Sequence, residues 1–288
     1  MSDSDFTVTI VKYGTRPEIA KSEAYLNYHI YGLPDETISM DYYLWLVRND
    51  QQTFVVDTGF SAHGGAVRNR TMLVEPSTAY AALGVDPTSA PPVIVTHAHY
   101  DHIGNLALFC ESEIIIARKE YEFWTSELSH RQQFQHSVET EEIDHLLSAH
   151  AEGRVQTFDR SLELAPGLTL IEVGGHTPGQ VMVKVRTSDG VVLLASDAVH
   201  YYEEFELEMP FTFMADLPAS YAAFDSIRSM LDQQQITHLV SGHDPATFDQ
   251  FPPDPDGPLP GLVATIGQRS WPAGDVVDDH SHAERRTH

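Results

Sequence analysis

The segment Thr96-His97-Ala98-His99-Tyr100-Asp101-His102 constrains this chain more than any other. It sets three histidines and one aspartate within six positions, directly after the apolar run Pro92-Val93-Ile94-Val95. Neutral imidazoles and a carboxylate are the donor set that holds Zn2+ or a similar divalent ion in water. Val93-Ile94-Val95 reads as a buried strand, so the donors fall in the loop at its end. Alternate residues of an extended segment share a direction, which lets His97 and His99 face one ion. Asp101 and His102 then lie on the turn into a helix and can serve a second ion nearby. Packed together without an ion, these groups would repel when protonated and would each need a partner when buried. The other histidines are different. Of the sixteen in the chain, His29, His130, His136, His145, His150 and those of the tail sit in no motif. They read as surface or hydrogen-bonded core residues.

Three further stretches repeat the pattern of a strand that ends in a donor. Gly174-Gly175-His176-Thr177-Pro178-Gly179 follows the apolar run Leu168–Val173. Glycine and proline make a tight loop there, and glycine lets backbone approach an ion closely. His176 is its only side chain suited to a metal. Val191–Ser196 ends in Asp197, a carboxylate placed to bridge two cations or, more plainly, to cap a helix. Leu239-Val240-Ser241-Gly242 leads to His243, while His238 more plausibly begins that strand. Upstream, Thr53–Val56 ends in Asp57-Thr58-Gly59, which could be an ordinary turn.

In this order the donors resemble those of the metallo-β-lactamase-fold hydrolases, whose signature is H-x-H-x-D-H, a His in a Gly-rich turn, an Asp and a late His. The residues are His97, His99, Asp101, His102, His176, Asp197 and His243, and the resemblance runs from about Asp57 to His243. It implies two divalent ions. His97, His99 and His176 would hold one, Asp101, His102 and His243 the other, and Asp197 would bridge them. Zn2+ is the first choice, with Mn, Fe or Co compatible with the same donors. Asp57 would stand behind the ligands and orient one of their histidines. The set contains no cysteine. The only thiol, Cys110, lies in Leu106-Ala107-Leu108-Phe109-Cys110 and reads as a buried helix residue.

The fold implied is α/β, a four-layer αββα sandwich with helices outside two mixed sheets. Phe6–Lys12, Tyr42–Arg48 and Thr53–Asp57 read as strands, with a turn at Gln51-Gln52. Pro76–Leu83 and Ile103–Phe109 read as helices, and Glu113–Ala117 as a strand. Residues 118–151 look like a helical insertion that caps the site, makes a homodimer contact or simply packs on the core. Strands at 168–173, 181–187 and 190–196 precede a helix at Ala219–Asp232 and a strand at Leu239–Val240. A single hydrolase domain is expected over 1–250. The Pro-, Asp- and His-rich stretch 251–288, with His280, His282 and His288, reads as a loosely ordered tail.

Composition sets outer limits. Forty-two acidic against 17 basic residues give a formal charge of −25. Such a surface repels phosphate backbones, so a nucleic-acid partner is not expected. No run of about 18 apolar residues suggests a membrane span, and Met1-Ser2-Asp3-Ser4-Asp5 lacks a signal peptide's apolar core. A soluble cytoplasmic protein is the expectation.

Two cations sharing a water lower its pKa from about 15.7 to about 7 and polarise a carbonyl or phosphoryl oxygen. Hydrolysis of an activated acyl or phosphate bond follows. His99 stands where flavodiiron relatives need Glu, and Asp197 where relatives that cleave β-lactams often carry a cysteine. The basic surfaces and extra modules of RNA-processing relatives are absent. The lactonase group, including N-acyl homoserine lactonases, is the closest resemblance. The mechanism it suggests is attack of a metal-bridging hydroxide on a lactone carbonyl, with Asp101 or a metal-bound water passing a proton to the leaving alkoxide. A glyoxalase II-like thioesterase and a small-molecule phosphodiesterase are the alternatives, with a non-catalytic binding module further off. In lactonases a Tyr three residues past the bridging Asp holds the carbonyl. Here that position is His200, with Tyr201 and Tyr202 beside it, and all three are candidate donors. Gly179-Gln180 likewise replaces a Gly-His. Met209, Phe211, Phe213 and Met214 are candidates for an acyl-chain pocket, as are Tyr42, Tyr43 and Trp45, though such residues more often form core.

Overall fold

The computed structural model describes residues 5–268 of the 288. Thirteen strands form two sheets among the described residues. In chain order the first sheet takes β1 (Thr7–Ala20), β2 (Thr37–Arg48), β3 (Thr53–Val56), β4 (Thr71–Met72), β5 (Val93–Val95), β6 (Ile114–Ala117) and β7 (Val155–Phe158). The second takes β8 (Ser161–Ala165), β9 (Leu168–Glu172), β10 (Val181–Thr187), β11 (Gly190–Ser196) and β12 (His238–Ser241). The chain then returns to the first sheet as β13 (Val263–Ile266). The strand orders are β13-β1-β2-β3-β5-β6-β7, with β4 on β1, and β12-β11-β10-β9-β8. Strands β3, β5, β6 and β7 run parallel, as do β11 and β12.

The period of two along each strand divides the core into three. Ile94, Ile115, Trp45 and Val47 meet Leu170, Val183, Val192 and Leu194 between the sheets. Their neighbours Val93, Val95, Leu44 and Leu46 face outward, beneath Tyr80, Phe109 and Leu146 of the helical layer. Leu193 and Ala195 face the opposite way, beneath the helix Leu217–Asp232. Strands buried on both faces read as continuous apolar runs, which is why these segments were legible. The helix Leu217–Asp232 begins where the Asp216 side chain accepts from Ala219 N at 3.0 Å. It buries Ala223, Phe224, Ile227 and Met230, at the spacing of one helical face. The four-layer αββα arrangement is the one expected.

Several boundaries differ. β1 continues to Ala20 through register shifts at Lys12/Gly14 and Arg16/Ile19, so it pairs with all of β2. β7 carries polar residues at half-buried positions, β8 alternates exposed polar with half-buried leucine, and neither shows a clear apolar run. The helix expected over Ile103–Phe109 is two short turns, Tyr100–Ile103 and Leu106–Phe109. Gly104 lies between them, pressed so closely on the Ser61 backbone that a Cβ would sit 2.5 Å from it. Cys110 is exposed, a correction to its expected burial: the short turn directs Leu106 and Phe109 inward and ends at the surface. The expected tail also needs correction. Its first part, through β13, pairs with β1 and buries Val263, Ala264 and Ile266. Residues 269–288, with their histidines, lie outside the described residues. Among the described residues no helix is long and apolar enough to cross a membrane.

Candidate metal centre

The loops that follow β3, β5, β9, β11 and β12 converge, and each brings the side chain that ends its strand. Asp57 closes β3 with φ of 58°, a left-handed conformation that Asp tolerates better than most residues. Its Oδ1 accepts from Thr96 N at 2.8 Å and its Oδ2 from Thr96 Oγ1 at 2.7 Å. The same Oδ2 lies 2.7 Å from His102 Nδ1. That contact fixes the ring and leaves His102 Nε2 facing inward. His243 is oriented in the same way, its Nδ1 lying 2.8 Å from the Asp41 carbonyl oxygen. His99 Nδ1 and His176 Nε2 face each other at 2.9 Å.

Asp197 sits between two groups of rings. Its Oδ1 lies 3.3 Å from His102 Nε2 and 3.2 Å from His243 Nε2. Its Oδ2 lies 3.3 Å from His243 Nε2 as well, 3.4 Å from His176 Nε2 and 3.7 Å from His97 Nε2. Asp101 Oδ2 is 3.9 Å from His102 Nε2 and 3.8 Å from His243 Nε2. The donor atoms thus gather into overlapping sets: His97, His99 and His176; Asp101, His102 and His243; and His97, His102 and Asp197. A further set, His176, Asp197 and His200, adds a residue outside the expected seven. Gly242 has no alternative here, because a Cβ would lie 2.8 Å from Asp197 Oδ1.

The donors fit a pair of cations. Nε2 of His97, His102 and His200 and Oδ1 of Asp197 are buried without a hydrogen-bond partner. Orphaned polar atoms of this kind are costly unless something binds them. Burial drives His97 and His176 well below the usual imidazole range and His99 down to about 3. These rings are therefore neutral, the form a metal needs. Burial would raise Asp197, but His243, His102, His200 and His97 hold it well below the usual carboxylate range. Burial also opposes charge on His102, yet Asp197, Asp57 and Asp101 outweigh it and push that ring up. A cation set among these carboxylates would displace that proton.

Two carboxylates that carry no sequence motif support the site. Glu120 is fully buried. Its Oε1 accepts from Ala98 N at 2.9 Å and Trp124 Nε1 at 2.7 Å, and its Oε2 from Gly179 N at 2.9 Å. It thereby ties the His97–His102 loop to the His176 loop. Gly179 must be glycine for this, since a Cβ would lie 2.2 Å from Glu120 N. Glu204 holds His200: its Oε2 accepts from His200 N at 2.6 Å and lies 3.2 Å from the ring's Nδ1. His200 Nε2 is then 3.1 Å from Asp197 Oδ2. Burial opposes its charge, but Asp197 and Glu204 push the ring up to about 9. The four-residue spacing of His200 and Glu204 was a signal available in the sequence; Glu120 offered none.

The donors open onto a cavity of about 460 Å³. His99, Asp101, His176, Asp197, His200 and His243 form its floor, and Tyr42, Phe211 and Phe213 its apolar walls. His200 stacks on Phe211 with ring centroids 3.8 Å apart. The inserted helices reach this cavity through His136 and Ser137. Other expected contacts are not there. Tyr202 Oη lies 3.2 Å from the Leu239 carbonyl oxygen, which it meets as a donor away from the cavity. Tyr201 is buried against Tyr25, with centroids 5.9 Å apart. Met209, Tyr43 and Trp45 are core residues. Chain direction explains this: after His200 the backbone enters the helix Tyr202–Glu206, which turns both tyrosines away from the floor.

Residues 42–233 match the family model of the metallo-beta-lactamase superfamily. The chain belongs to that superfamily. An N-acyl homoserine lactonase of Bacillus sp is 26% identical to it over 230 residues, which cover 75% of this chain and 82% of that relative. The crystal structure of a quorum-quenching N-acyl homoserine lactone lactonase matches with a TM-score of 0.71 at 22% identity, covering 87% of this chain and 97% of that one. That of AidC, a dizinc quorum-quenching lactonase, matches at 0.65 and 17%, covering 94% and 97%. At these identities the structural likeness is one of fold. His243 lies beyond the matched residues, so within this superfamily member its place rests on geometry.

Proposed function

We propose that this protein is a binuclear metal-dependent hydrolase that opens a lactone or a related cyclic ester. The observation that carries the reading is Asp197, whose carboxylate stands within 3.7 Å of His97, His102, His176 and His243 at the floor of a cavity sized for a small molecule. His97, His99 and His176 would hold one ion, and Asp101, His102 and His243 the other. Asp197 would be shared. Bound cations lower the pKa of water and polarise an ester carbonyl.

The chain's own residues account for the rest. Glu204 holds His200 through Nδ1, which leaves Nε2 on the side of Asp197 Oδ2, 3.1 Å away, at the candidate metal floor. From there it can donate to the carbonyl oxygen as negative charge develops, the interaction that usually contributes most in acyl transfer. Asp101 lines the same floor and can carry a proton to the leaving alkoxide. Phe211 packs on the His200 ring and excludes water from that face. The relatives named as lactonases favour ring opening over other ester cleavage.

One observation favours a second reading. Arg16, Arg68 and Arg70 line the cavity, and basic residues would suit the glutathione of an S-acyl thioester. A panel of lactone, linear ester, S-acyl glutathione and phosphodiester substrates separates the two, run beside metal analysis of the purified protein. The expected result is about two divalent ions per chain and turnover of lactones above the rest. Turnover of S-acyl glutathione alone would overturn the lactonase reading, and protein that retains only traces of divalent ion would overturn both.

A further inference from the structure

We infer that Arg70 forms an anion-recognising subsite in this cavity, so that the lactone it opens carries a carboxylate or a similar anionic group. The inference rests on the lactonase reading above and specifies its substrate class.

The chain has 17 basic residues against 42 acidic ones, yet three arginines line this one cavity. Two are already engaged. Arg16 Nη2 pairs with Glu23 Oε2 at 2.9 Å. Arg68 Nη1 pairs with Glu139, its Nη2 donates to the carbonyls of His136 and Val138, and its guanidinium lies 4.1 Å from the Tyr100 ring centroid.

Arg70 differs from both. Its Nε donates to Tyr100 Oη at 3.2 Å and its Nη1 to the Arg68 carbonyl at 2.6 Å. Neither acceptor is a carboxylate, and among the described residues Arg70 makes no salt bridge. Nη2 keeps its hydrogens for a ligand. Its half-buried guanidinium feels the Asp101 charge without a direct ion pair, so a ligand anion in contact with it would stabilise it further. Those two hydrogen bonds and the Arg70 N bond to the Gly65 carbonyl at 2.9 Å hold the residue in place. A planar donor held in this way loses little freedom on meeting a carboxylate.

The position suits a small substrate. Arg70 Cζ lies 5.9 Å from the Tyr42 ring centroid, and the Tyr42 and His243 rings are 5.1 Å apart. One aromatic ring therefore separates the free cation from the candidate metal floor. A cyclic ester over that floor can extend a short anionic arm to Arg70. Ile19, Met40, Phe211 and Phe213 are left for its apolar part.

The test uses the metal-loaded full chain and two γ-lactones that differ only in bearing a carboxylate or the corresponding carboxamide. We expect kcat/KM to favour the carboxylate by about tenfold or more, the usual worth of a charge-assisted hydrogen bond. Arg70→Gln should lose activity on the carboxylate alone, and Arg70→Lys should retain part of the preference. Equal wild-type kcat/KM on the two lactones overturns the inference while leaving the lactonase reading intact. So does a preference that survives in Arg70→Gln, or an equal loss on both lactones at unchanged metal content and Tm. If neither lactone opens while S-acyl glutathione is cleaved, the lactonase reading fails and this inference falls with it.

Discussion

At the residue scale the most informative pair is His200 and Glu204, because one nitrogen of the ring is committed to Glu204 and the other is not. His200→Phe keeps the stacking volume against Phe211 but removes the donor. It should lower kcat by about 10²-fold or more, the usual loss of an oxyanion donor. Glu204→Gln should cost about tenfold, as loss of an orienting partner does. Tyr202→Phe should cost little, since that hydroxyl serves Leu239 outside the cavity. Steady-state kinetics beside metal analysis checks all three; a His200→Phe variant of wild-type kcat would remove the ring from the mechanism. Glu142 offers a test by pH. Its carboxyl is buried with Oε2 unpaired, and burial, then Glu139, pushes it up to about 8. A carboxyl raised in the folded state favours its neutral form. Its contribution is therefore fully present below the unfolded value of about 4.5 and is lost as pH rises through about 8. Glu142→Gln should raise Tm by several degrees at pH 9 and by little at pH 4, as thermal melts across that range would show.

At the element scale the site is a set of strand ends, and that explains what could be read in advance. An apolar run stopped by a donor is a local pattern. It marks β3, β5, β11 and β12 together with the residues they deliver: Asp57, His97, Asp197 and His243. Glu120 was illegible because its partners, Ala98 and Gly179, come together only in the folded chain. Tyr201 and Tyr202 were misread because sequence adjacency to His200 says nothing of a helix that turns them away. β13 was missed because its short apolar run stands in a Pro- and Gly-rich stretch. It nonetheless covers the free edge of β1, and Ala264 points between the sheets while Thr265 points to the other face. An exposed edge is a template for pairing with another chain. Ala264→Asp would bury an unpaired carboxylate. It should lower Tm by several degrees and promote association seen by size-exclusion chromatography, whereas Thr265→Asp should do far less. Equal effects would mean that β13 does not close the sheet.

At the scale of the molecule, the two sheets and their helical layers share one end where neutral rings and carboxylates are crowded out of water. Their desolvation and orphaned atoms oppose folding until cations bind them. Stability and metal loading are therefore linked. An ion at a free concentration a thousandfold above its Kd contributes about 4 kcal/mol, which corresponds to a Tm change on the order of 10 °C for a chain of this size. Treatment with a chelator should lower Tm by that amount or more, and readdition of Zn2+ should restore it. A Tm indifferent to chelation at confirmed ion removal would show that the donors are satisfied without metal.

The bond between Glu120 and Trp124 has a consequence of another kind. The same carboxylate that grips this indole grips the His97–His102 loop, and the ring itself stands 5.8 Å from the His99 imidazole. Any rearrangement of that loop on filling reaches a chromophore directly. The protein thus carries an optical gauge of its own occupancy, legible in intrinsic emission without a label.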